Sequence, residues 1–225
     1  RSPSRGLGDV YKRQILLWVA WMALLSTIWR NPLRGESHDA HLMRLRLMNG
    51  FSMTLLLVAW ILQPFKSAIK DGFLPPGLNE LLQTDLMVIH PPLIFLAYSL
   101  SIVLACIGIS SILTDSDGLK DRLIQVARPA FFFATLGIGL GGLWAYLILD
   151  WGGYWAWDPV ETGSLLPWIC LVILLHLRTR PGRTPDYMWA GIAMACGALS
   201  LFATMVTRAG GVWACLLYTS DAADE

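Results

Sequence analysis

The residues of this chain whose types could do chemistry are four histidines, four cysteines and one segment crowded with tryptophan. His90 precedes Pro91 and Pro92 at the start of an apolar run. A residue before proline is pushed out of the helical region and proline suits a first helical turn, so one reading is a plain helix-start residue at an interface. The other is a metal ligand: a helix N-terminus disfavours the imidazolium, and two prolines stiffen the backbone that carries the ring. His176 lies eight residues beyond Trp168 in another apolar run, about 12 Å further along a helix. An ionisable group at that depth is a functional candidate, and the competing reading is a neutral ring near the helix end beside Arg178. His38 and His41 fall in a charged stretch and are read as solvated. Cys106, Cys170, Cys196 and Cys215 form no Cys-x-x-Cys pair, and three sit in apolar runs. They are read as small core hydrophobes rather than ligands.

Residues 151–168 hold four of the eleven tryptophans and one tyrosine. Such rings favour a membrane–water boundary, so a plain aromatic belt would account for their number. A belt needs no fixed order, however, and here the order is definite. Trp151, Tyr154, Trp155 and Trp157 are strung through a Gly-Gly turn into Asp158-Pro159-Val160-Glu161. Asp158 can cap a helix, Pro159 suits its first position, and Glu161 can reach back as the third-residue partner of a capping box. The segment therefore predicts a shelf of flat aromatic faces on a rigid helix start. With both carboxylates occupied in capping, no catalytic acid–base pair is expected there.

The elements that must position these residues follow from composition. The 225 residues are 55% hydrophobic, with a mean hydropathy of +0.53, which predicts an all-α integral membrane protein rather than an ordinary globular domain. A net charge of +1 excludes nucleic acid as a partner. Six spans are expected, at residues 15–29, 45–62, 86–113, 130–149, 164–177 and 187–207, the second ending at Gln63-Pro64 and the fifth bent at Pro167. Loops 30–46, 114–129 and 178–186 carry ten Lys and Arg, whereas 63–87, 150–168 and Arg208 carry three. The positive-inside bias places the tryptophan segment, His90 and Arg208 together on the outer face. Gly137, Gly139 and Gly142 match G-x-G-x-x-G but lie inside an apolar span with no preceding strand, so no dinucleotide site is expected. Gly137 and Gly141 instead form a small-xxx-small face for close helix approach.

The run Trp-Gly-Gly-Tyr-Trp-Ala-Trp-Asp-Pro-Val-Glu-Thr, with Pro167-Trp168 after it, resembles the WWD signature of haem-handling membrane proteins of cytochrome c maturation. Within that group, which includes the CcmC and CcsA types, it is most similar to the CcmF type; Thr162 stands where that pattern has Asn. The segment Val-Ile-His-Pro-Pro-Leu-Ile-Phe-Leu-Ala-Tyr resembles the element that carries the first of two outer haem-ligating histidines, here His90. The resemblance covers residues 15–214. It implies a haem lyase, with an outer substrate haem held by His90 and by Trp151, Tyr154, Trp155 and Trp157, Trp168 being more distant. It also implies an embedded haem b on His176. Arg208 is open to two readings, a partner for a haem propionate and an interfacial anchor. The implied partners are apocytochrome c, whose Cys-x-x-Cys-His sulfurs join the haem vinyl groups, together with a haem chaperone, a thiol-handling subunit and the lipid bilayer. The implied location is a bacterial or archaeal-type cytoplasmic membrane.

Where the family continues from the Arg208 element into a second histidine, this chain reads Cys-Leu-Leu-Tyr-Thr-Ser. Residues 1–14 and 215–225 resemble translated sequencing-library adapter and are expected to be non-native tails flanking an internal piece that is inactive alone. Two rival readings stay open: a haem exporter or chaperone of the CcmC or CcsA type, and a non-haem transport or quinone-binding subunit with an aromatic belt.

Overall fold

The computed structural model describes residues 4–64, 84–114, 117–148, 153–179 and 184–208, with side chains from residue 13 onward. These form six helices: α1 (Ser4–Ile28), α2 (His38–Leu62), α3 (Leu86–Thr114), α4 (Leu119–Ile148), α5 (Pro159–Leu177) and α6 (Asp186–Arg208). Five of them, α2 to α6, are long and apolar enough to cross a membrane. The fold is that of an all-α integral membrane protein.

Helix α3 is the post around which the others pack. Its most apolar stretch is 83% buried by protein, against 17–39% for the other four spans. A helix that is apolar all round has no stripe to turn outward, so it goes to the centre. Helices α1, α2, α4 and α6 all lie against it. Trp18 of α1 plugs one side, with ring centroids 5.6 Å from Phe51 and 5.5 Å from Phe95. On the other side α6 comes very close. A Cβ on Gly197 would lie 2.7 Å from that of Ala105 and 3.2 Å from the Ser101 carbonyl oxygen. Between helices in lipid such packing stabilises through dispersion and not through release of water. Ser99, Ser101 and Ser200 satisfy their buried hydroxyls on carbonyls four residues back in their own helices, as a dry interior requires.

Several sequence expectations change. Helix α2 starts at His38, not near residue 45: Ser37 caps it by accepting from the Ala40 N–H, and Asp39 lies in the first turn, both favourable at a positive helix end. Its other end is as expected, with Gln63 in the left-handed region at φ 44° donating to the Ala59 carbonyl before Pro64. Helix α3 runs without interruption through Pro91 and Pro92, its sixth and seventh residues, each of which forgoes an i→i−4 hydrogen bond. Helix α4 begins at Leu119 after a turn at Gly118 (φ 75°) and includes Pro129, so most of the expected basic loop is helical. In α1 the apolar part, Arg13–Ile28, is shorter than a span, since it falls short of the ~30 Å hydrocarbon core at 1.5 Å per residue. Helix α1 begins at Ser4, inside the stretch read as a tail, and residues 215–225 lie outside the described residues.

One end of the bundle gathers the loop before α2, the end of α3 and the start of α4. There Arg44, fully buried, meets Glu36 through Nε–Oε1 at 2.8 Å and Nη2–Oε2 at 2.9 Å. It also donates to the carbonyls of Trp29 and Asn31. His41 is buried beside them and not solvated, its Nδ1 3.1 Å from Arg44 Nη2. Arg122, from α4, donates to the Gly35 carbonyl and to the Ser111 hydroxyl. Burial alone would raise the Glu36 carboxyl. The Arg44 hydrogen bond, the Leu33 N–H and the Arg44 and His41 charges outweigh burial and hold it below its ordinary 4.5.

Candidate functional site

The opposite end brings together the start of α3, the end of α4, the segment before α5 and the end of α6. His90 is half-buried on α3, with Nδ1 2.8 Å from the carbonyl oxygen of Gly137 on α4. A carbonyl can only accept, so Nδ1 carries a proton, and the neutral tautomer that this bond selects has its lone pair at Nε2. The His90 Cε1 lies against Gly141, where a Cβ would sit 3.0 Å from that atom. Trp144 meets it edge-on at 5.9 Å. The expected close-approach face of Gly137 and Gly141 is thus where α3 seats on α4: a Cβ on Gly137 would be 3.2 Å from the Ile94 Cα.

The same glycine run takes a second ring on another face. The Tyr154 hydroxyl donates to the Gly139 carbonyl. A Cβ on Gly142 would lie 2.9 Å from Tyr154 Cε1 and from its carbonyl oxygen. Past Tyr154 the chain turns sharply. Trp157 has φ 59°, a left-handed conformation that costs a bulky residue roughly 1–2 kcal/mol. Its ring is 70% exposed and stands at 82° to that of Trp155, centroids 5.9 Å apart. The expected flat shelf is therefore a corner, because two indoles on alternate residues of a tight turn settle edge to face. The Trp155 indole nitrogen is buried with no hydrogen-bond acceptor among the described residues. Trp151 lies outside the described residues.

Helix α5 starts as its sequence dictates. Asp158 is the N-cap, its Oδ1 accepting from the Glu161 N–H at 2.5 Å, and Pro159 follows. Glu161 reaches back further than a capping box would, its Oε2 accepting from the Ala156 N–H at 2.9 Å, while Oε1 is buried without a partner among the described residues. Pro159 fixes the helix direction, and Glu161 ties the tryptophan turn to it. Trp168 lies deeper, as a strut from α5 to α4, donating to the Thr135 hydroxyl at 2.9 Å and packing on Phe131. Arg208, at the end of α6, donates to the Thr204 carbonyl and lies 5.8 Å from the Phe95 ring centroid, which ties it to the His90 end of α3.

His176 is far from this cluster, toward the other end of α5. It is exposed, with Nδ1 2.8 Å from the Val172 carbonyl oxygen of its own helix. Nδ1 is the donor here too, since a carbonyl only accepts, and Nε2 is the nitrogen not engaged by that bond. Cys106 and Cys196 are buried and Cys170 is half-buried, all reduced. Among the described residues, no three His, Cys, Asp or Glu cluster to hold a bare metal ion. What the described residues offer is two separate imidazoles, His90 at the end of the bundle where Tyr154 and Trp157 are exposed, and His176 away from it. That donor set suits the iron of a large flat ligand better than a caged cation.

Comparison with known proteins gives the family. The family described as "Cytochrome C assembly protein" matches residues 11–214. The chain is 34% identical to the probable cytochrome c-type biogenesis protein NrfE of Escherichia coli K12, over 89% of this chain and 37% of that protein. It is 35% identical to the E. coli K12 cytochrome c-type biogenesis protein CcmF, over 75% of this chain and 27% of that one. To CycK of Bradyrhizobium diazoefficiens it is 29% identical, over 96% and 34%. It spans about a third of the length of the relatives it matches. No solved structure matches it. With the family matched over nearly the whole chain, and its tryptophan turn, capped helix and glycine-seated histidine gathered at one end, this protein belongs to the cytochrome c assembly family.

Proposed function

We propose that this chain is the haem-presenting part of a CcmF-type cytochrome c haem lyase, facing the outside of a bacterial cytoplasmic membrane. The observation that carries this reading is His90, whose Nδ1–H is taken by the Gly137 carbonyl, a bond that selects the tautomer with its lone pair at Nε2, at the end of the bundle where Tyr154 and Trp157 are exposed. An imidazole fixed in tautomer and orientation by a bond at its other nitrogen is what an iron ligand requires. Tyr154, Trp155 and Trp157, with Trp151, supply aromatic surface for the substrate haem, and the Trp155 indole N–H is a buried donor available to a polar edge group. Arg208, tied to the same end of α3, supplies positive charge for a propionate.

No side chain of the site acts as a nucleophile, since those of the reaction are the cysteine sulfurs of the Cys-x-x-Cys-His segment of apocytochrome c. The contribution of this chain is positional: holding haem in one orientation turns its encounter with the cysteines into a near-unimolecular step. At His176, Nε2 directed away from the helix suits an embedded haem b whose second ligand comes from elsewhere in the protein. Such a group would supply electrons to keep substrate iron reduced. A haem chaperone and a thiol-handling subunit complete the proposed assembly. The charge bias of the loops supports an outward tryptophan turn.

The test is the reduced-minus-oxidised absorption spectrum of detergent-purified protein expressed from its complete gene. His90→Ala and His176→Ala are expected to remove two distinct haem populations. Loss with His90→Ala alone would favour the exporter or chaperone reading. Absence of haem from the wild type would leave the aromatic turn as a membrane belt and refute the proposal.

A further inference from the structure

We infer that α4, which contributes no iron ligand, is the positioning element of the outer site. The Gly137 carbonyl selects the His90 tautomer, and the bare backbone at Gly141 sets the ring's rotation, so that Nε2 is presented in one direction before haem arrives. The inference rests on the reading of His90 given above but adds residues that are neither ligands nor part of the tryptophan turn.

Three features of the contact support it. The bond from Nδ1 to Gly137 spans 47 residues and joins two helices, so the ring's orientation is fixed by tertiary packing and not by its own helix. His176, bonded within α5, lacks that cross-link. Gly141 leaves no slack: a methyl group there would lie 3.0 Å from Cε1, 3.5 Å from Nδ1 and 3.7 Å from Nε2, and it would have to rotate the imidazole or separate the helices. Trp144, one turn further along α4, closes the remaining side of the ring edge-on. A ring held at Nδ1, at Cε1 and against Trp144 loses little rotamer freedom on ligation, which lowers the entropic cost of binding. Gly139 provides a contrast on the same helix: a Cβ there would meet only the Tyr154 hydroxyl, at 3.6 Å, an ordinary contact.

Two experiments on detergent-purified protein from the complete gene test this. In His90→Gly the lost imidazole is replaced by free imidazole or by 1-methylimidazole, which binds iron through one nitrogen but carries a methyl where Nδ1–H would be. Imidazole can donate to Gly137 and 1-methylimidazole cannot. Restoration of the wild-type low-spin spectrum should need about tenfold or more 1-methylimidazole than imidazole, the scale of a lost outer-shell hydrogen bond. Equal restoration, or restoration by neither, would overturn the inference. Gly141→Ala should shift the haem toward a high-spin spectrum while Gly139→Ala keeps the wild-type one, and matching spectra for the two variants would overturn it as well. Because the rescue experiment leaves α4 unaltered, it decides the matter even if Gly141→Ala fails to accumulate. Wild-type protein without haem would defeat the functional reading and this inference together. Wild-type protein with haem that is lost in His90→Gly, but restored equally by both imidazoles, would defeat the inference alone.

Discussion

The two ends of the bundle use the same kinds of side chain in opposite ways. At the basic end the Glu36, His41 and Arg44 side chains meet one another. Both Glu36 oxygens face the Arg44 guanidinium, and His41 Nδ1 lies 3.1 Å from Arg44 Nη2, so its ring is turned into the cluster, whereas His90 Nδ1 faces a backbone carbonyl. At the aromatic end capacity is left over: the His90 Nε2 lone pair, the Trp155 indole N–H, one Glu161 oxygen, and the exposed faces of Tyr154 and Trp157. Bonds that close on one another stabilise a fold, whereas unpaired groups held in place by strain and close packing mark a binding site. The comparison separates residues that hold this protein together from residues that do its work.

The largest expected break in that division is at the basic end. Glu36→Ala would leave Arg44 buried without its carboxylate, a change that costs about 3–5 kcal/mol. It should lower the melting temperature in detergent sharply, whereas His90→Ala should leave it nearly unchanged. Acid sharpens the point. Because Glu36 is held below 4.5 in the folded protein, its contribution is complete above that value and is lost as pH falls through the folded value. Melting temperatures of wild type and Glu36→Gln should converge in acid and separate on the way to neutrality; a constant gap would contradict the assignment.

At the aromatic end the effects on stability are smaller. Trp157→Gly relieves a left-handed backbone and should be more stable than Trp157→Ala by about 1 kcal/mol, and both should lose haem affinity. If alanine proves the more stable, the conformation at φ 59° is not held at a cost. Asp158→Ala removes the α5 cap and should cost about 1 kcal/mol, with a loss of haem larger than its loss of stability, since the cap and Glu161 anchor the tryptophan turn.

What was legible in the sequence was local. Asp158-Pro159 announced a helix start, Gln63-Pro64 a helix end, and Gly137 with Gly141 a close approach, because each signal lies within one turn of the chain. The partners of those signals were not legible. That Gly141 receives an imidazole from 51 positions away depends on how α3 seats on α4. The burial of Arg44 was missed because charge in a loop was equated with solvation, while its carboxylate stands eight residues earlier on an irregular segment. Ser37 followed by Asp39 was the available hint that α2 starts early enough to bury both His41 and Arg44. The turn at Trp157 had no signal at all, since tryptophan is a poor candidate for positive φ.

The most direct test of the division between the ends is the haem-to-protein ratio of His90→Ala beside His41→Ala, at matched amounts of folded protein. Loss of outer-site haem from His90→Ala, with His41→Ala retaining the wild-type ratio, is the predicted result. Equal loss in both variants, or full retention in His90→Ala, would contradict it.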